Sequence, residues 1–247
     1  MGETDHCQEL TQRRQAARMV MDMLHRTVMH HALWFTEVRH QMGLARALDL
    51  LDQVCGKSLD IQLGRLSKTL GFAMRQGIPA PLLDMPEEVF SRLKETVAAN
   101  WLANDGIWFQ ALEFTHGMNE AKRCNDSCWA QFSPVEAWSV KRLLELPERP
   151  GLEGLKQALG HRLYAQINTQ VITDADDDGF TFQMKECRVQ AARKRKGLSD
   201  YPCKSAGLVE YTYFARAIDD RIQTHCIGCP PEAHPEEWFC AWRFNLT

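Results

Sequence analysis

The sequence predicts an α+β protein in two parts, and three observations carry that expectation. Apolar residues recur at three and four spacing from Gln8 to about Leu146, the period changes to two from Leu163 onward, and a gap-free repeat joins two stretches of the helical part. The expected architecture is an N-terminal helical bundle built from two repeated helical units (residues 1–150), then a Cys-rich ββααββ domain over residues 151–247.

The repeat has an offset of 74: HHALWFTEVRHQMGLARALDLLD from His30 lies over NDGIWFQALEFTHGMNEAKRCND from Asn104. Trp34/Trp108, Phe35/Phe109, Gly43/Gly117, Ala47/Ala121 and Asp52/Asp126 are identical. Each copy, residues 30–71 and 104–146, reads as a helix, a glycine-stopped turn and a second helix. Between them GIPAPLLDMPEE ends one helix and seeds the next, because proline tolerates only the start of a helix. Pro147 to Leu155 reads as a linker and a short helix. LYAQINTQVIT and FTFQMKE alternate apolar and polar residues around the turn TDADDDG, a hairpin signature. RVQAARKRKGL and SAGLVEYTYFARAI then read as helices, and RIQTHCIG and FCAWRFNL as closing strands.

Composition narrows the function. The chain has 247 residues, 45% hydrophobic and 25% charged, with a formal net charge of -3, so disorder and nucleic-acid electrostatics lose ground. No apolar run spans a bilayer, and MGETDHCQEL lacks a signal-peptide core. A cytoplasmic protein is expected, with a small-molecule ligand, no nucleic acid, no membrane, and a homodimer left open.

Five of the nine cysteines crowd the tail as C187-x15-C203-x22-C226-x2-C229-P-P-x8-C240. Cys226 and Cys229 form a knuckle able to chelate one soft metal, and Cys187, Cys203 and Cys240 are the further candidate ligands. Zinc and a cysteine-ligated iron–sulfur cluster both fit. The competing reading is buried small hydrophobes plus one redox-active pair. TDADDDG imitates a calcium loop with Asp174, Asp176 and Asp178, but Lys185 stands where the bidentate Glu belongs, so a solvated turn is expected.

Two Glu-x-x-His quartets, Glu37/His40 and Glu113/His116, resemble di-iron ligands in bundles, yet they are 76 residues apart rather than 74 and would occupy different faces. At helical spacing Trp101, Asp105, Trp108, Leu112 and His116 share a face, placing a carboxylate between tryptophans where burial raises its pKa. Asp105, Glu113 and His116 are therefore the candidate catalytic residues, and Trp101, Asn104 and Trp108 the candidate ligand-binding ones. The alternative is an aromatic core with Asp105 as the N-cap of the following helix. In RVQAARKRKGL, Arg188 and Arg193 are candidates to turn inward beside the cysteines and attract an anion.

NDGIWFQALEFTHGMNEA, CRVQAARKRKGL, YPCKSAGLVEYTYFA, IDDRIQTHCIGCPPEAHPEEW and CAWRF resemble an uncharacterised family of bacterial cytosolic proteins, from about Asp105 to the C-terminus. More distantly, Cys187, Cys203, and Cys240 with Trp242 and Phe244 look like the cysteine and aromatic positions of L-2-amino-thiazoline-4-carboxylic acid hydrolase and 4-vinyl-reductase-type domains. That resemblance implies an α+β enzyme or sensor domain taking small ligands. The leading expectation is a cysteine-ligated metalloprotein, a hydrolase or lyase for a small C–N or C–S compound if it is an enzyme. The alternative is a non-catalytic ligand-binding or sensory module with a structural zinc.

Overall fold

The computed structural model describes residues 3–246, with side chains from residue 9 onward. The chain divides into two compact units, Met1–Leu83 and Asp84–Thr247. The boundary falls inside the proline-rich breaker, where the chain has to leave helical geometry.

In the first unit, α1 (Glu3–Met42) and α2 (Leu44–Leu70) form a hairpin at Gly43. A two-stranded ribbon, β1 (Met74–Arg75) with β2 (Ile78–Pro79), and the short α3 (Ala80–Leu83) follow.

The second unit opens with α4 (Glu87–His116) and α5 (Met118–Leu143), joined at Gly117. Gly117 has φ 89° and ψ 167°, and Gly43 has φ 83° and ψ 165°. Positive φ is costly for any residue with a Cβ, which explains why glycine stands at both turns. Each glycine N–H bonds the carbonyl four residues back, Arg39 at 2.9 Å and Glu113 at 3.0 Å, and the alanines four residues on, Ala47 and Ala121, are buried.

Next come α6 (Gly151–Gly160) and a 3-10 turn at Leu163–Gln166. The sheet strands are β3 (Thr169–Thr173), β4 (Gly179–Glu186), β5 (Ile222–Gly228) and β6 (Cys240–Leu246), with α7 (Arg188–Arg195) and α8 (Lys204–Ile218) between β4 and β5. This is the ββααββ order read from the sequence, and the protein is α+β as expected. The sheet order is β3-β4-β6-β5, and every pairing is antiparallel.

Helix α8 lies on this sheet and α5 packs on α8, so α5 and the strands share one core. Phe180, Phe182, Phe214, Ile218, Trp242 and Phe244 are almost fully buried there, each large apolar side chain contributing about 1.5–3 kcal/mol. Asp219, at the end of α8, accepts the Gly151 N–H at 2.9 Å and so satisfies the first turn of α6. Asp176 accepts the Gly179 N–H at 2.7 Å and pairs with Arg243 at 2.8 Å, so the acidic hairpin tip is a self-satisfied turn.

Packing is close where α8 crosses β6. A Cβ on Gly207 would stand 2.5 Å from Cζ2 and 2.9 Å from Cη2 of the buried Trp242. Gly207→Ala should therefore lower unfolding free energy by roughly 1–3 kcal/mol in denaturant titrations, through overpacking. An unchanged midpoint would show that the helix has room to shift.

Candidate metal and ligand site

The antiparallel order puts the ends of β4 and β5 and the start of β6 at one edge of the sheet. Cys187 follows β4, Cys226 and Cys229 lie at the end of β5, and Cys240 opens β6. Cys203 comes to the same edge as the residue preceding α8, since the Lys204 N–H bonds Pro230 O, just past Cys229, at 2.9 Å. Backbone topology alone thus gathers all five tail cysteines.

Four of them, Cys187, Cys203, Cys229 and Cys240, line one cavity of about 390 Å³. The Cys229 thiol hydrogen-bonds with Cys203 and Cys240, and these contacts together with burial push its pKa up. Burial, with Cys203 and Cys240 nearby, pushes Cys187 up to about 12 against the opposing pull of the Gln190 and Val189 amides. Cys226 stands outside the cavity, half-buried, with the Gly228 amide directed at it. Among the described residues no group of three or more His, Cys, Asp or Glu side chains already stands in metal-holding geometry.

Cys187 and Cys203 are the cap residues of α7 and α8, so two helix N-termini meet at these sulfurs, and helix N-termini favour negative charge. Gln190 fixes Cys203: its Nε2 donates to the Cys203 sulfur at 3.1 Å and to Tyr201 O at 2.8 Å, while its Oε1 accepts the Tyr201 N–H at 3.0 Å.

The cavity continues from the sulfurs along Tyr201, Trp242, Glu210, Tyr164, Asn168 and Asp105. Lys122 and Asn125 donate to the Tyr201 hydroxyl at 2.8 and 2.6 Å. Helix α7 covers one side and is tied to α4 by Arg188–Glu95 at 2.6 Å, by Arg193 paired through both nitrogens with Glu113 at 2.9 Å, and by Lys196–Gln110 at 3.0 Å.

The expected site residues thus separate. Asp105 lies on the wall, and burial raises its pKa. It sits in the middle of α4, not at a helix start, so the N-cap reading fails: α4 runs unbroken from Glu87. Trp101, Asn104 and Trp108 line a second cavity of about 400 Å³ along α4 and α5, which shares Asp105 with the first. Trp101 also packs into an aromatic cluster with Tyr164, Trp129 and Phe132, ring centroids 4.8–6.0 Å apart. Arg188 and Arg193 line the first cavity, Glu113 is held by Arg193, and His116 is exposed in the last turn of α4. Glu37 and His40 belong to α1 in the other unit.

Sequence reasoning missed the charged group behind the wall. Arg162, 1% exposed, contacts Glu136 through Nε and Nη2 at 2.9 and 2.8 Å and Glu210 through Nη1 at 2.7 Å. Leu163 N–H also donates to Glu136, at 3.0 Å. Trp129, Tyr164, Tyr211 and Phe214 ring the guanidinium at 4.7–6.0 Å. Burial opposes the charge of Arg162, but the two carboxylates outweigh it and raise its pKa. Burial raises Glu210 to about 7, with Glu136 and Asp105 adding to the effect and Arg162 opposing it. No periodic or spaced pattern marks these three residues, because a buried charge announces itself only through its partners.

These features define an α+β protein with a cysteine cluster at one sheet edge and an adjoining aromatic cavity. The chain belongs to the family of unknown function DUF6125, which it matches over residues 84–246, the compact unit that holds the site. No curated protein and no solved structure is significantly similar to it. Among the described residues, no helix is long and apolar enough to cross a membrane.

Removing one partner of a buried pair leaves an uncompensated charge, so Arg162→Met should cost about 3–5 kcal/mol at pH near 8. Because the folded-state pKa of Glu210 lies above its ordinary 4.5, its contribution is full below that value and is lost as pH rises through about 7. Glu210→Gln should flatten that decline in urea titrations across the same window; an unaltered slope would assign it elsewhere.

Proposed function

We propose that Cys187, Cys203, Cys229 and Cys240 hold a zinc ion or an iron–sulfur cluster at the sheet edge, and that the adjoining cavity takes a small molecule. The observation that carries this reading is the convergence of four sulfurs from four separate segments on one cavity. The helix N-terminus and the Gln190 and Val189 amides favour a thiolate at Cys187, against the larger opposing effect of burial. A bound metal would take these sulfurs as thiolates, with release of their protons. Cys226 belongs outside the ligand set and supports the knuckle.

Four sulfur ligands leave a zinc ion no open position, so the metal acts as a structural clamp holding the cavity's end wall. Any chemistry then falls to the cavity's carboxyls, Asp105 and Glu210, with hydrolysis of a small C–N or C–S compound as the enzymatic form, drawn from the distant resemblance. A ligand-binding or sensory module is the non-catalytic form.

Elemental analysis with an absorption spectrum, on anaerobically purified protein, tests the assignment. Wild type should carry near-stoichiometric metal, Cys203→Ser and Cys229→Ser should lose it together with thermal stability, and Cys226→Ser should retain it. Metal-free wild type, or unchanged content in the Cys203 and Cys229 variants, would refute the reading. Visible charge-transfer bands would select the cluster, and a colourless metalloprotein zinc.

A further inference from the structure

We propose that Glu210 is the proton-carrying residue of this cavity, exchanging a proton with a bound neutral small molecule in front of the buried Arg162 and Glu136 pair. The inference deepens the ligand-cavity reading above and makes no use of the metal: Glu210 is seven residues from Cys203, about 10 Å along α8.

The geometry divides the two carboxyls unequally. Glu136 accepts aligned hydrogen bonds from Arg162 Nε at 2.9 Å and the Leu163 N–H at 3.0 Å, with Arg162 Nη2 a further ion-pair contact at 2.8 Å. Glu210 meets only Arg162 Nη1, at 2.7 Å, and its Oε1 makes no aligned hydrogen bond. One guanidinium between two carboxyls leaves one negative charge in excess, and the less well bonded carboxyl is the one to take the proton. Glu210 is also the member of the trio that reaches the cavity. The other ionisable groups that act on it are Asp105 of α4, Tyr164 of the 3-10 turn, Tyr201 ahead of α8 and Tyr211 of α8 itself.

In the transfer, the Glu210 O–H bond breaks and the proton passes to a basic nitrogen or oxygen of the ligand. The resulting carboxylate is left facing the Arg162 guanidinium, and the reverse step restores the acid. The charge of cavity plus ligand is unchanged throughout. The wall also defines the ligand. Asn168 Nδ2 and the indole N–H of the fully buried Trp242 line the cavity without acceptors, and Arg188, Arg195 and Lys196 line it as well. Such a lining suits neutral, acceptor-rich molecules, and among them those with a basic nitrogen, such as an imidazole ring, can take the Glu210 proton beside the carboxyl of Asp105.

Infrared spectroscopy of the full chain labelled with 13C-glutamate tests this directly. Between about pH 5 and about pH 9, one glutamic acid carbonyl band should titrate near neutrality in wild type and in Asp105→Asn, and be absent in Glu210→Gln. In Glu136→Gln its midpoint should fall, because a like charge is gone and Arg162 is left to Glu210 alone. Imidazole, as a neutral base that can take the proton, should lower the midpoint of the band. No neutral-range glutamate band, or a band surviving Glu210→Gln, would overturn the assignment. Should Glu210→Gln not fold, a Glu136→Gln midpoint that stays or rises overturns it equally. A band that titrates but ignores imidazole overturns the exchange with a ligand, whereas loss of the metal assignment alone leaves this titration as stated.

Discussion

The antiparallel register of the four-stranded sheet is the constraint on which the rest of the second unit depends. With β6 running between β4 and β5, the two strand ends and one strand start fall on a single edge, and each carries a cysteine. The hydrogen bond from Lys204 to Pro230 then fastens the start of α8, and with it Cys203, to the same edge. Shifting any strand by one residue would turn its core side chains to the opposite face and disperse the sulfurs. Core packing and the chemistry of the edge are therefore set by one pattern of pairing.

Electrostatics grades along the cavity from that edge. Near the sulfurs, helix N-termini and amides supply positive potential. Farther along, Arg162 balances two buried carboxyls within a cage of aromatic rings. Buried ion pairs rarely stabilise a fold more than apolar replacements would. Here they place a buried guanidinium directly behind a cavity with orphaned donors.

Much of the fold was legible in local pattern. The change of period after Leu163 gave the strand order, and Gly43 and Gly117 marked the two helical turns that need positive φ. The cysteine spacing singled out the five residues that the fold gathers at one end of the sheet, of which Cys226 alone does not line the cavity. The bulge between Cys226 and Gly228 offsets Cys226 from Cys229, and no sequence rule exposes it. Asp105 was identified from its aromatic neighbours, yet its place in mid-helix depended on α4 running through Asn104 and Gly106. Glu136, Arg162 and Glu210 were invisible because they lie on three different elements, and only tertiary packing makes them a group.

The central claim is that sulfur from four segments surrounds one metal. X-ray absorption at the metal edge of the intact, anaerobically purified protein measures that most directly. The account predicts a first shell of sulfur alone, at about 2.3 Å for zinc. A shell of nitrogen and oxygen would contradict it.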